Sequence, residues 1–224
     1  MARYSRVDVI HATLDLGLVP VFYNSDLEKA KNILAACAEA GARVIEFTNR
    51  GDLAYRVFCD LIEHTASLDQ DVILGVGSVI DAPTAALYIN SGANFVVSPC
   101  LNPDVAKVCN RRKIAHTPGC ATVSEISRAE EWGVEIVKVF PGGQVGGPAF
   151  VKAVMGPMPW SRIMPTGGVA PTRDSIGAWI GAGAAALGMG SKLIRKDLVE
   201  KGDWQGIKGQ VADCLQFIRE ARQS

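Results

Sequence analysis

The chain of 224 residues has no Cys-x-x-Cys pair, no long block of basic residues and no apolar run near the roughly 20 residues that span a bilayer. Each absence removes a class of protein. Six cysteines, Cys37, Cys59, Cys100, Cys109, Cys120 and Cys214, are scattered singly. In a chain whose hydrophobic fraction is 48% they read as reduced core thiols of a cytoplasmic protein, not as zinc ligands or a disulfide framework. Only three histidines occur, His11, His64 and His116, and none stands at metal-ligand spacing, so neither a metal nor another cofactor is expected. Charge is balanced, with 23 basic and 23 acidic residues, which leaves no electrostatic footprint for nucleic acid or for a membrane surface. The run Met1-Ala2-Arg3-Tyr4-Ser5-Arg6 is basic but lacks the apolar core and cleavage site of a signal peptide, consistent with a cytoplasmic protein.

What the chain does contain is an alternation of short apolar runs and helical patterns, repeated about eight times. The runs Leu18–Tyr23, Val44–Thr48, Val72–Gly75, Asn94–Val97, Ile114–Thr117, Glu135–Val139, Arg162–Pro165 and Ala185–Gly188 predict strands. Leu27, Ala30, Ile33, Leu34 and Cys37 form a helical stripe, with Ser25 or Asp26 as N-cap and Gly41 beyond the end. Leu53, Val57, Leu61 and Thr65 predict the apolar face of the next helix. Asp81-Ala82-Pro83 and Asn102-Pro103-Asp104 each supply a helix start with proline in the first turn. Strand–helix units of this length imply a parallel sheet with crossover helices. Eight of them with short loops predict an α/β chain folded as a (β/α)8 TIM barrel. The alternative, a doubly wound open sheet, would carry a glycine-rich first turn, and Pro20-Val21-Phe22-Tyr23-Asn24-Ser25 offers none. An N-terminal helix is expected over Val7–Leu16, and a C-terminal one from the stripe Trp204, Ile207, Val211, Cys214, Leu215 and Ile218. The expected organisation is one domain, residues 1–224, with the barrel core at about 18–195 and the helical extension at about 198–222.

Active sites of such barrels lie at the C-terminal strand ends, so those ends carry the candidates. Lys138 interrupts the otherwise apolar run Glu135-Ile136-Val137-Lys138-Val139-Phe140-Pro141. A lysine whose pKa burial has lowered forms Schiff bases with carbonyl substrates; a lysine that merely snorkels from a strand end fits the same position. In Glu46-Phe47-Thr48-Asn49-Arg50, strand alternation sets Val44, Glu46 and Thr48 on one face, and an inward Glu46 suits proton transfer. Arg50 suits a substrate carboxylate, and equally a structural ion pair with Glu46. Gly75-Val76-Gly77-Ser78-Val79 admits close backbone approach and offers the Ser78 hydroxyl. Ser98-Pro99-Cys100 is a rigid turn near the mouth, with Cys100 unpaired to any histidine and not a nucleophile. Pro165-Thr166-Gly167-Gly168 and Gly188-Met189-Gly190-Ser191-Lys192 follow the last two strands, where barrels bind phosphate; tight turns alone would also use these glycines. An amine, an interior carboxylate, a carboxylate-binding arginine and an anion cradle together suit cleavage of a phosphorylated 2-keto acid. Two other readings share the cradle: a phosphosugar isomerase or synthase without imine chemistry, and a catalytically silent phosphometabolite-binding protein.

The order Val19-Pro20-Val21, Glu46-Phe47-Thr48-Asn49-Arg50, Gly75-Val76-Gly77-Ser78-Val79, Ser98-Pro99, Thr117-Pro118-Gly119, Lys138-Val139-Phe140-Pro141, Pro165-Thr166-Gly167-Gly168 and Gly190-Ser191 resembles the 2-dehydro-3-deoxy-phosphogluconate / 4-hydroxy-2-oxoglutarate aldolase family, from about Leu18 to Ile194. The resemblance implies a metal-free class I aldolase, a carbon–carbon lyase and homotrimer, that splits 2-dehydro-3-deoxy-6-phosphogluconate into pyruvate and glyceraldehyde 3-phosphate. Cleavage of 4-hydroxy-2-oxoglutarate to pyruvate and glyoxylate is implied as a second activity. It implies Lys138 as Schiff-base lysine, Glu46 as acid and base, and Arg50, Ser78, Pro99 and Phe140 around the pyruvate portion. The phosphate would fall to Gly167, Gly168, Gly190 and Ser191. Four features depart from the family pattern. Ser78 stands where threonine is usual, and Cys100 where glycine is usual, which predicts a tighter loop. Gly142-Gly143 replace the usual Ala-Glu, which predicts a more mobile loop after the lysine, and the C-terminal extension exceeds the family core.

Overall fold

Side chains on alternate strand positions enter two separate apolar clusters, and that partition positions everything at the strand ends. A computed structural model describes residues 2–223; Met1 and Ser224, which the single-domain expectation also counts, lie outside the described residues. The strands are β1 (Leu18–Phe22), β2 (Val44–Thr48), β3 (Ile73–Gly77), β4 (Phe95–Val97), β5 (Ala115–Thr117), β6 (Gly119–Cys120), β7 (Val137–Val139), β8 (Ile163–Pro165) and β9 (Leu187–Met189). Helix α1 (Arg6–Leu16) precedes them, and α2 (Leu27–Glu39), α3 (Ala54–Thr65), α4 (Ala82–Asn90), α5 (Pro103–Arg112), α6 (Val123–Glu131), α7 (Gly147–Met155) and α8 (Arg173–Gly181) connect them. Helices α9 (Lys196–Lys201) and α10 (Trp204–Gln223) close the chain.

Every strand pair is parallel. One run of strands has the order β5-β4-β3-β2-β1-β9, the other β6-β7-β8. Parallel bridges Ile163↔Ala184 and Thr166↔Gly188 join β8 to the β9 segment, and only Pro118 separates β5 from β6. The molecule is thus an α/β fold built on a curled parallel sheet.

The inward cluster contains Val19, Val44, Ile73, Phe95, Val97, Ala115, Ile136, Met164 and Ala186, with Val9, Ile10 and Ala12 of α1 packed on it. The outward cluster takes the alternate residues Leu18, Ile45, Phe47, Leu74, Val76, Val137, Val139, Ile163 and Leu187 against the surrounding helices. Helix α1 therefore covers the end of the sheet where the strands begin, and the other end stays free for chemistry.

Several expectations need correction. Nine strands are described, not eight, because Pro118 has no N–H to continue the ladder from β5 into β6. Leu53 is not on the apolar face of α3: it is the N-cap in a left-handed conformation, φ 59°, and 64% exposed. The buried face is Ala54, Phe58, Leu61 and Thr65, with Phe58 against Phe47 and Tyr88. Cys100 is exposed and Cys59 half-buried, so only Cys37, Cys109, Cys120 and Cys214 are core thiols. The C-terminal extension is two helices, since Gly202 (φ 67°) ends α9 before α10 packs on α2 and α8.

The end of α10 is tied to the end of α1. Arg222 donates to the carbonyls of Leu14, Asp15 and Ala185 at 2.7–2.8 Å. Gly17 allows this approach: its φ is 72°, and a Cβ there would lie 2.5 Å from Arg222 Nη2. Arg222→Ala is expected to lower the unfolding free energy by about 1–3 kcal/mol, and with it the denaturant midpoint, because the three carbonyls lose a charged donor. An unchanged midpoint in chemical denaturation would show that the extension is only loosely attached.

Candidate active site

Glu46 and Lys138 reach the interior by register. Val44 lies in the inward cluster, so Glu46 and Thr48, two and four residues on, share its face. Ile136 lies in the same cluster, so Lys138 and Phe140 follow it inward from β7. Lys138 is 4% exposed and Glu46 1%. The Lys138 Nζ sits 4.9 Å from the centroid of the Phe140 ring. Burial pushes the Lys138 pKa below its ordinary value, opposed by the Glu46 charge and aided by Arg50. Burial likewise pushes the Glu46 pKa up, opposed by Lys138 and Arg50.

The glycines of β3 make room for this arrangement. Glu46 pairs in register with Gly75 and Thr48 with Gly77. A Cβ on Gly77 would stand 1.7 Å from Glu46 Oε1, so any other residue there would displace the carboxylate. Glu46 Oε2 is buried without a hydrogen-bond partner among the described residues, as are the hydroxyls of Thr48 and Thr166. Orphaned buried acceptors of this kind mark places where a substrate or water completes the bonding.

Beyond this layer a cleft of about 720 Å³ opens, bordered by Thr48, Arg50, Phe140, Gly167, Gly168, Gly190 and Ser191, among others. Lys138 and Glu46 lie one layer below it, beneath Phe140 and Thr48 on the same strand faces. Arg50 Nε donates to Ser78 Oγ at 3.2 Å, with Ser78 in a left-handed conformation at φ 62°. Among the described residues Arg50 forms no ion pair with Glu46; its guanidinium turns toward the cleft, and its charge reaches Glu46 only through space. Neither Pro99 nor Ser78 is among the residues that border this cleft. The Pro99 carbonyl faces Gly119, where a Cβ would come within 2.1 Å.

The loop after Lys138 is held, contrary to the mobility its glycines predict. Gly142 N donates to Thr166 O and Gly143 N to Gly167 O, both at 2.9 Å, extending the β7–β8 pairing past the strand ends. A Cβ on Gly142 would lie 2.8 Å from Gly167 O, and one on Gly168 would lie 2.7 Å from Gly143. With φ of 82° and 86°, Gly167 and Gly168 also occupy conformations that side chains rarely adopt. Two glycine pairs thus lock backbone to backbone at the cleft edge. Sequence reasoning left Thr48 and Thr166 without a role; strand parity with Glu46 and Met164 was the signal that pointed them inward.

The chain has relatives among known proteins. The family profile "KDPG and KHG aldolase" matches residues 9–210. The chain belongs to that family. It is 31% identical to the 2-dehydro-3-deoxy-phosphogluconate aldolase of Haemophilus influenzae over 96% of this chain and 99% of that one. It is 32% identical to the KHG/KDPG aldolase of Escherichia coli K12 over 85% of this chain and 86% of the other. Among solved structures, a Legionella pneumophila KDPG aldolase with pyruvate captured at low pH as a covalent carbinolamine intermediate superposes with a TM-score of 0.82. That match has 25% identity and covers 94% of this chain and 98% of that one.

The aldolase-family site holds two groups whose charged forms burial disfavours, and the signs of their linkage can be stated. The folded-state pKa of Lys138 is depressed, so stability falls as pH drops from the ordinary lysine range through the folded value. The folded-state pKa of Glu46 is raised, so its contribution is full in acid and is lost as pH rises through the folded value. For each group burial therefore makes the charged form costly to stability. The double variant Lys138→Met/Glu46→Gln is expected to unfold at pH 7 with stability equal to the parent or about 1–4 kcal/mol above it. Calorimetry showing a clearly less stable double variant would mean that the pair holds the core together.

Proposed function

We propose that this cleft carries out class I aldol cleavage of 2-dehydro-3-deoxy-6-phosphogluconate to pyruvate and glyceraldehyde 3-phosphate, and of 4-hydroxy-2-oxoglutarate to pyruvate and glyoxylate. The observation that carries the reading is a buried amine with depressed pKa, close enough to a buried carboxylate for each to shift the other, beneath a cleft edged by glycine loops. Membership of the aldolase family supports it.

In this reading the neutral Lys138 amine attacks the C2 ketone, giving a carbinolamine that loses water to form an iminium. The C3–C4 bond then breaks. Its electron pair moves toward the iminium nitrogen to give an enamine, and the C4 hydroxyl proton passes to Glu46, through water. The aldehyde leaves, C3 takes back a proton, and hydrolysis of the imine frees pyruvate and Lys138. Glu46 suits both proton transfers because burial raises its pKa and makes it a better proton acceptor than an ordinary carboxylate. The unpartnered Glu46 Oε2 gives the proton a place to go. Arg50, steadied by Ser78, presents its guanidinium to the substrate carboxylate. Phe140 closes the apolar side of the amine. Pro99 contributes indirectly, by packing its turn onto Gly119 beside Lys138 in register. The loops at Gly167, Gly168, Gly190 and Ser191 receive the phosphate.

The same reading extends to the whole molecule. The bridges from β8 to the β9 segment and the single residue between β5 and β6 favour a closed (β/α)8 barrel folded as one domain over residues 1–224. The family resemblance favours a cytoplasmic homotrimer. Among the described residues no helix is long and apolar enough to cross a membrane.

Borohydride reduction in the presence of pyruvate is expected to leave a pyruvyl adduct on Lys138, absent from Lys138→Ala. Mass spectrometry showing no adduct would refute imine chemistry and favour an isomerase, a synthase or a silent binder, and an adduct that survives in Lys138→Ala would refute Lys138 as the nucleophile. Glu46→Gln is expected to keep the adduct while slowing turnover by about 10²–10⁴-fold. Because only the neutral amine reacts and its pKa is depressed, trapping should persist at pH values where free lysine is fully protonated, and then fall as the pH drops further. A trapping rate that tracks the ordinary lysine pKa would contradict the buried site.

A further inference from the structure

The cleft holds charges that the mechanism above does not use. Lys29 of α2, Lys192 after β9, and Lys196 and Glu200 of α9 all border it. Lys196 has a partner, since its Nζ lies 3.5 Å from Glu200. Among the described residues Lys29 and Lys192 form no ion pair. Their placement follows from topology: β1 pairs with β9, so the segment after β9 and the helix after β1 are neighbours on one wall. Lys192 directly follows Ser191, at the same rim as Gly167 and Gly168.

A charge argument separates these lysines from a merely solvated surface. Loop amides and a serine hydroxyl can hydrogen-bond a phosphoryl group, but they are neutral, and a phosphate monoester carries about −1.5 to −2 near pH 7. In the aldolase reading Arg50, held by Ser78, is matched to the substrate carboxylate, so its charge is already compensated there. An ammonium on a flexible stem acts as a point charge that suits phosphate. We propose that Lys192, together with Lys29, is the specificity-determining charge of this cleft, selecting 2-keto acids that carry a dianionic group at the far end over those that do not. The proposal rests on the aldolase reading for its substrates and on the cleft itself for its ligand.

Two measurements test it. The first compares kcat/KM for 2-dehydro-3-deoxy-6-phosphogluconate with that for 4-hydroxy-2-oxoglutarate, which lacks phosphate. In Lys192→Gln the ratio is expected to fall about 10- to 100-fold, chiefly through KM for the phosphorylated substrate, and Lys192→Arg should restore most of it. Lys29→Gln should act in the same direction. An unchanged ratio overturns the proposal. The second measures binding of inorganic phosphate to the intact protein by calorimetry, independent of turnover. Weaker binding in Lys192→Gln supports the proposal, and equal binding in parent and variant overturns it. If the parent binds phosphate through Lys192 yet forms no pyruvate adduct, the aldolase reading fails while the anion site stands.

Discussion

The site depends on an amine and a carboxylate that are both almost fully buried in the sheet interior. Neither Lys138 nor Glu46 would hold its charge there alone, because desolvation disfavours the ionised form of each. Each is partly rescued by the other, and the compromise is chemical: an amine that is neutral below the usual lysine range, next to an acid that holds its proton above the usual carboxylate range. The surrounding sheet serves that compromise. Alternation on β2 and β7 turns both side chains inward, and the missing Cβ of Gly77 leaves room for the carboxylate. Helix α1 packs over the strand starts, and the cleft opens at the other end. Stability and reactivity thus pull against each other at two residues, with the apolar layers around them supplying the difference.

Much of this was legible from the residues. The charged interruption in Glu135-Ile136-Val137-Lys138-Val139-Phe140 marks an interior lysine because a strand repeats every two residues, and Ile136, Lys138 and Phe140 must share a face. The same logic carried Glu46 inward from Val44. Prolines and N-cap residues marked helix starts correctly: Asp26, Asp81 and Asn102 each accept from backbone amides of the first turn. Such features are local, so spacing is enough to reveal them.

Features that depend on partners distant in the chain were not legible. Gly142-Gly143 suggest a loose loop when read alone, because glycine frees the backbone. Their function is the opposite, and it shows only when Gly167-Gly168 are brought against them, about twenty-five residues further on. Arg50 is close to Glu46 in sequence, which favours an ion pair on paper. The sheet instead brings Ser78 within reach from the next strand. Leu53 reads as the start of an apolar stripe, yet its left-handed backbone turns it out of the helix and into solvent. In each case tertiary geometry overrode a correct local rule.

The division of labour within the cleft follows from dielectric. At the floor, where Lys138 and Glu46 are almost fully buried, the charge of each shifts the pKa of the other. At the rim, Lys29 and Lys192 are in contact with solvent, and their fields are screened over about 8–10 Å at ordinary ionic strength. Rim charges therefore cannot tune the Lys138 amine; they can only favour a ligand that places its own charge beside them. This separation lets substitutions at the rim change which 2-keto acid is preferred without disturbing the carbon–carbon chemistry below. The loops set where a distal group sits, and the neighbouring charges set which group is worth holding.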